Sequence, residues 1–443
     1  MSTQRTTRTR RRGAVLTAAV LLGTASAAAG PATAAPRAPA PPLPTAAPRP
    51  PAQPDCSAAY RITQKLEGGA VWNMCWRYNT DAGLTLDRVT YQPPGGAPIK
   101  VLTSARLAQI HVPYDDGAAE YDDLTGAGFG WGLQNLKPAE CPGGTISTVK
   151  VPEVGQVKGL CTTTRARGHA YRMAADGAGG QVYQVQGKDL LVYTVNKVGW
   201  YEYISEWRFS ADGTIGANVG ATGSLSPVDY NATDGRGWPI GKGARAYATS
   251  HAHNVFWKLD FGLDGSTKDR IEQFDSTVTA PPANGGGPTV KTKRTVVTKE
   301  LAGDAKNMRW WRVVSGTGKN ADGHARSYEI VPGHTDTHAG RGFTKHDVYF
   351  TQSRACEQFA SNNTGNCGTN AGDSVDKWVN GETLTKPSVW VNIGFHHVAR
   401  DEDQQPMPVH WQGFQLAPRD VTAMNPLTPS DLASQNGQPD LGS

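Results

Sequence analysis

The chain has 443 residues, 44 of them Lys or Arg and 39 Asp or Glu, for a formal net charge of +5. Five of the basic residues are arginines within residues 1–35, a stretch without acid, so residues 36–443 carry 39 of each sign and no Lys/Arg stripe. That balance excludes the electrostatic footprint of a nucleic-acid-binding protein, and no apolar run is long enough to span a bilayer.

Residues 1–35 read as a secretory signal peptide. Arg5, Arg8, Arg10, Arg11 and Arg12 precede an apolar run over residues 14–29, and Ala32-Thr33-Ala34-Ala35 stand before Pro36. Charged, apolar and small-residue regions in that order mark an export leader, so the expected location is secreted, by the general or the twin-arginine route. In residues 36–54, nine of nineteen are proline, which predicts an extended, semi-rigid linker with no core of its own. Residues 55–443 then form one large domain. Six cysteines in an exported chain suit disulfides, and sequence proximity suggests Cys56–Cys75, Cys141–Cys161 and Cys356–Cys367.

Within this domain, short runs rich in Val, Ile, Tyr, Trp and Thr, such as residues 181–185, 190–195 and 389–393, alternate with Gly, Asn, Asp and Pro clusters. Such runs predict strands and turns, and no segment sustains a helical apolar stripe over four turns. The expectation is an all-β sandwich, not alternating βα units. The run Val198-Gly199-Trp200-Tyr201-Glu202-Tyr203 reads as strand and carries an oxidisable phenol. On an extended strand, His251 and His253 share a face and Ala252 points away, so two imidazoles can meet one ion. Gly394-Phe395-His396-His397-Val398 offers a third. Three imidazoles and a water suit copper(II), and zinc accepts the same set. A zinc hydrolase is disfavoured because no Glu accompanies the histidines in a zincin pattern.

These segments resemble the catalytic domain of the copper amine oxidases over nearly all of the chain after the leader. Val198-Gly199-Trp200-Tyr201-Glu202-Tyr203, followed by Glu206-Trp207-Arg208-Phe209 and Asp212-Gly213-Thr214-Ile215, resembles the family's cofactor motif, which places the quinone precursor at Tyr201. His251-Ala252-His253 with Lys258-Leu259-Asp260 resembles its His-x-His stretch. Gly394-Phe395-His396-His397-Val398-Ala399-Arg400 resembles the segment of the third ligand, which falls on His397. Met407-Pro408-Val409 and Gly413-Phe414-Gln415-Leu416 resemble the closing strands. The resemblance implies a large two-sheet β-sandwich of the copper amine oxidase catalytic-domain type, paired as a homodimer with hairpin arms around the partner. It also implies copper(II) on His251, His253 and His397, and a topaquinone made from Tyr201 by that copper and dioxygen. The implied reaction converts a small primary amine and dioxygen to aldehyde, ammonia and hydrogen peroxide. The Cys141–Cys161 bridge resembles one in this domain.

Amine oxidation needs a base to take a proton from the carbon beside nitrogen. Ile110-His111-Val112-Pro113-Tyr114 and Tyr121-Asp122-Asp123-Leu124-Thr125-Gly126-Ala127-Gly128-Phe129-Gly130 resemble the family's Val-Pro-Tyr and Tyr-x-Asp-x-Gly-x-x-Gly-x-Gly segments. This puts the base at Asp123 and a quinone-contacting hydroxyl at Tyr114. Thr125 stands where a glycine is usual and the intervening loop is short, so Asp122 and Asp116 stay open as the carboxylate. Of the acids that hold a second, oxygen-ligated metal in some members, Asp260 is present, but Gly262 and Lys386 occupy the other positions, which argues against calcium. Trp200 stands where the family has Asn beside the cofactor tyrosine. Its indole is larger and only donates a hydrogen bond, so it either stacks on the ring or wedges it out of line. The second is expected, with slow turnover. The alternative reading is a non-catalytic copper-binding β-sandwich that keeps the fold, with Trp200 as its mark.

Overall fold

In a computed structural model, the described residues are 56–115, 120–174, 180–228, 230–231, 233–336, 340–362, 374–429 and 432. The leader, the proline-rich stretch, Asp116 and Cys367 lie outside them. Two antiparallel sheets dominate. The first has nine strands in the order Arg61–Lys65, Val71–Asn79, Gly83–Gln92, Ile99–Pro113, His251–Phe261, Pro387–His397, Val348–Gln352 and Leu301–Gly303, with Glu120–Asp122 added beside Ile99–Pro113. The second has ten, ordered Val290–Val297, Arg270–Val278, Trp310–Lys319, Ala325–Pro332, Met407–Arg419, Ile215–Gly223, Tyr201–Ser210, Val182–Val198, Gly155–Ala174 and Thr145–Val151. The expected all-β two-sheet architecture is present, and the one α-helix among the described residues is the short Val375–Trp378. No helix among them is long and apolar enough to cross a membrane.

Alternation fixes which side chains face the inter-sheet space. On Tyr201–Ser210, Tyr201, Tyr203, Ser205, Trp207 and Phe209 are buried in that space. The intervening Arg208 leans outward onto Glu206, with Nη2 2.9 Å from its carboxylate. Polar tips of core aromatics tie the sheets together: Trp72 Nε1 donates to the Ser210 carbonyl at 2.9 Å and Tyr91 Oη to the Ala211 carbonyl at 2.9 Å. Burial of such rings contributes roughly 1.5–3 kcal/mol each, provided each polar tip has a partner.

The central strand His251–Phe261 is buried on both faces. One face lies in the inter-sheet core; the other packs under a layer that includes Phe343, Tyr349, Val375 and Trp378 around Phe256 and Trp390. This double cover buries every residue of the strand except Asp260, which is half-buried, and stiffens whatever stands at its end. Disulfides join Cys56 to Cys75 and Cys141 to Cys161, as proximity predicted. Cys356 is also disulfide-bonded; its expected partner, Cys367, is outside the described residues.

Candidate active site

Tyr201 opens its strand immediately after a two-residue hairpin turn, since Val198 pairs with Tyr201 across Gly199 and Trp200. The sequence reading of 198–203 as continuous strand therefore needs correction. Gly199 takes φ 56°, a conformation glycine adopts without penalty, and the turn sets Tyr201 at the sandwich edge pointing inward. Its ring is 3 % exposed. Facing it from the other sheet, His251 and His253 share a strand face as the period of two requires.

Register supplies the third imidazole. His251 lies directly opposite His397, whereas His396 lies opposite Ala252. Directly opposed residues project to the same side, so His397 joins the two histidines and His396 points away, where it is exposed. The Tyr201 hydroxyl sits between two of these rings, 2.6 Å from His251 Nε2 and 3.0 Å from His397 Nδ1, and those nitrogens are 3.4 Å apart. His253 is completely buried, with its ring centroid 5.0 Å from that of Tyr201, and stacks on Phe395 at 4.6 Å.

Among the described residues, no three His, Cys, Asp or Glu side chains already hold the spacing of a formed metal cage; here a phenol stands between two imidazoles. The donor set itself fits copper(II). Burial, then the neighbouring His397, push His251 down to about 3, and burial followed by His251 holds His253 well below the ordinary imidazole range. Both are thus neutral, ligand-competent rings. His397 Nε2–H donates to Asp403 at 2.8 Å, which leaves the Nδ1 lone pair directed at the cluster and fixes the tautomer. His253 Nε2 is buried without a hydrogen-bond partner, an arrangement that costs energy until something engages it. His251 Nδ1 lies toward the Thr249 backbone without closing a hydrogen bond. The nitrogens that would hold the ion are therefore His251 Nε2, His253 Nε2 and His397 Nδ1.

On the other side of Tyr201 is a small cleft of about 160 Å³ bordered by Asp123, Tyr114, Tyr121, Trp200 and Tyr203. Asp123 is 5 % exposed, and burial pushes its carboxyl up to about 7 against the opposing effect of a hydrogen bond accepted from Tyr203. Asp122 points elsewhere. It accepts from His111 Nδ1 at 2.8 Å, from Ser361 Oγ at 3.2 Å and from Asn362. Of the two described carboxylates, only Asp123 faces the cleft.

Tyr114 forms a bridge with His251 and stacks on its ring at 4.8 Å. With Tyr201 as an unmodified phenol, the Trp200 indole turns toward the cleft wall: Nε1 donates to Tyr114 Oη at 2.9 Å, and the ring meets Tyr114 and Tyr121 edge-on at 6.1 and 6.0 Å. A turn residue can swing away from its strand neighbour, and the Tyr114 hydroxyl satisfies the indole N–H.

Sequence reasoning passed over two participants. Tyr203 stacks on Tyr201 at 5.6 Å, approaches His253 Nδ1 at 3.4 Å and donates to Asp123. Its position two residues after Tyr201 was the signal available. Asp403, which orients His397, is one of three acids in the Asp401–Asp403 turn, and nothing local distinguishes it.

Comparison with known proteins identifies the family of the whole domain. Residues 69–436 match the family model "Copper amine oxidase, enzyme domain". The chain is 28% identical over 278 residues to a primary amine oxidase of Arthrobacter sp. (strain P1), covering 58% of this chain and 42% of that protein. It is 25% identical over 407 residues to histamine oxidase of Arthrobacter globiformis, covering 83% and 58%. The crystal structure of a copper-containing benzylamine oxidase from Hansenula polymorpha superposes with a TM-score of 0.70 at 21% identity, over 82% of this chain and 62% of that one. The chain thus spans about half the length of the curated relatives it matches. With the family model covering most of the sequence, the chain belongs to the copper amine oxidase family, matched through its enzyme domain.

Proposed function

We propose that this chain is a secreted copper- and topaquinone-dependent primary amine oxidase. It oxidises a small primary amine with dioxygen to the aldehyde, ammonia and hydrogen peroxide, and acts as a homodimer. One observation carries the reading: the Tyr201 hydroxyl lies 2.6 and 3.0 Å from nitrogens of His251 and His397, in reach of any ion those rings hold. Copper held there by His251, His253 and His397 would supply, with dioxygen, the oxidising chemistry that makes a quinone of the Tyr201 phenol, and the quinone would supply the carbonyl chemistry toward the amine.

The remaining steps belong to residues of the chain. His251, His253 and His397 hold the ion, and Asp403 keeps His397 in the tautomer that can bind it. Asp123 accepts the proton from the substrate carbon; with a carboxyl near 7 it is matched to neutral operation, as general bases must be. Tyr203 holds Asp123 in place through its hydroxyl. Tyr114 lies against His251, where its hydroxyl can contact the cofactor, and with Trp200 and Tyr121 it walls the approach to Tyr201. A cleft of about 160 Å³ favours a short amine over a polyamine or peptide.

The test is copper reconstitution of metal-free protein in air. A pink chromophore that reacts with phenylhydrazine, followed by amine-dependent peroxide release, is the expected result. Tight copper binding with neither chromophore nor peroxide would instead select the non-catalytic copper-binding reading.

A further inference from the structure

A second cleft, of about 380 Å³, lies at the other end of the three central strands. His251, His397 and the Pro113 end of Ile99–Pro113 stand at the amine site. Lys100, Phe261-Gly262 and Lys386, at or just beyond the opposite ends of the same strands, line this second cleft. Ten residues of extended chain separate the two, roughly 33 Å, so the second cleft has no part in amine chemistry.

Its lining holds three cations, Arg88, Lys100 and Lys386, and no carboxylate. The acids on neighbouring elements are engaged elsewhere. Asp87 pairs with Arg77 at 2.6 Å, Asp264 with Arg326 at 2.5 Å, Asp260 accepts from Ser388 Oγ at 2.5 Å, and Asp269 accepts from the Leu263 and Gly316 N–H groups. Among the described residues, none of the three cations has a carboxylate within ion-pair distance. Three like charges on one rim raise each other's energy and attract a multivalent anion.

One backbone feature brings a charge to this cleft. Arg88 has φ 54° at a register shift of Gly83–Gln92 against Val71–Asn79, a bulge position at which glycine is the usual occupant. An arginine there accepts strain and places a guanidinium at the cleft. The floor is apolar, formed by Val89, Leu102 and Phe261, all buried.

We propose that this cleft is a binding site for a phosphate monoester with an apolar body. Arg88, Lys100 and Lys386 take the oxygens of the dianion, with the guanidinium able to bind two at once, and Phe261 and Leu102 cover the organic group. The cleft does not depend on the amine oxidase reading, since none of its residues belongs to the copper or cleft chemistry at Tyr201.

Isothermal titration of the full chain with phenyl phosphate at low ionic strength tests it. One saturable site is expected, weakened by added salt, and inorganic phosphate should bind more weakly because it leaves the apolar floor uncovered. Lys386→Gln and Arg88→Gly should each lower the phenyl phosphate affinity about tenfold, in line with one lost charge-assisted contact. Arg88→Gly should also raise the melting temperature by relieving the positive φ, which separates lost binding from lost fold. Copper content and amine turnover should match the parent in both variants. Absence of saturable binding, or binding unchanged in the triple variant Arg88→Gly/Lys100→Gln/Lys386→Gln, would overturn the site. Equal affinity for inorganic phosphate would overturn the apolar half of the proposal.

Discussion

Replacing Asp123 by Asn tests the catalytic base and its burial in a single variant. The carboxyl is 5 % exposed and titrates at about 7 in the folded protein, whereas an unfolded aspartate titrates at about 3.9. Between those values the native state retains a proton that the unfolded chain has released. The unfolded state then binds fewer protons, so stability falls as pH rises from about 4 to about 7 and is level above that. That difference corresponds to on the order of 4 kcal/mol. Asn carries no such penalty, and its Oδ1 still accepts from Tyr203. The variant should therefore gain on the parent across that window and hold a constant advantage at higher pH. Urea denaturation of both proteins at matched copper content, in steps from pH 4 to pH 8, measures the difference. A gap independent of pH would refute the buried, proton-holding carboxyl. In the same variant the chromophore should form while kcat falls about 10²–10⁴-fold, and the parent's kcat/KM should rise with pH through about 7. Turnover equal to the parent would remove Asp123 from the reaction and return the role to Asp122 or Asp116.

Tyr201→Phe should bind copper and yield no quinone, read as copper by metal analysis with no phenylhydrazine adduct; an adduct in that variant would remove Tyr201 as precursor. His397→Ala should lose copper and His396→Ala should keep it, because only His397 lies opposite His251 in register; metal content decides. Asp403→Asn should weaken copper binding by about 10–100-fold through the lost orientation of His397, and unchanged affinity in a competition titration would contradict that role. Trp200→Asn should speed the reaction of the cofactor with phenylhydrazine by opening the approach to Tyr201, and a slower reaction would make the indole a working part of the substrate wall.

The parts of this site that a sequence shows are those governed by a local period. His251 and His253 share a face because strands repeat every two residues, and the same rule applied to Tyr201 would have found Tyr203. What is settled by pairing between distant strands is hidden. Local period alone does not separate His396 from His397, which the family resemblance had to choose between; Gly394 opposite Asn254 is what turns His397 inward. Asp122 and Asp123 are likewise adjacent acids, separated only when His111, from the neighbouring strand, engages the first. The turn at Gly199-Trp200 reads as strand because Val198, Trp200 itself and Tyr201 all carry strand propensity, while one glycine with positive φ is enough to reverse the chain. The two sheets were legible as β structure, but their nine- and ten-strand orders depend on long-range register that no local pattern encodes.

The site divides its tasks between stiff and adjustable parts of the fold. His251 and His253 lie on a strand paired on both sides and covered on both faces, and His397 lies beside it. Displacing any of the three would disturb several ladders at once, which suits ligands whose separation must stay within a few tenths of an ångström. Tyr121, Asp123 and Trp200 occupy, respectively, a three-residue strand, the turn after it and a hairpin tip. Of these, the exposed Tyr121 and the turn residue Trp200 accept substitution more readily. Changes in substrate size should therefore arise from residues such as Tyr121 and Trp200 without loss of the copper site, whereas the buried apolar residues of His251–Phe261 and Pro387–His397 should resist change because the ladders they pack also hold the metal ligands.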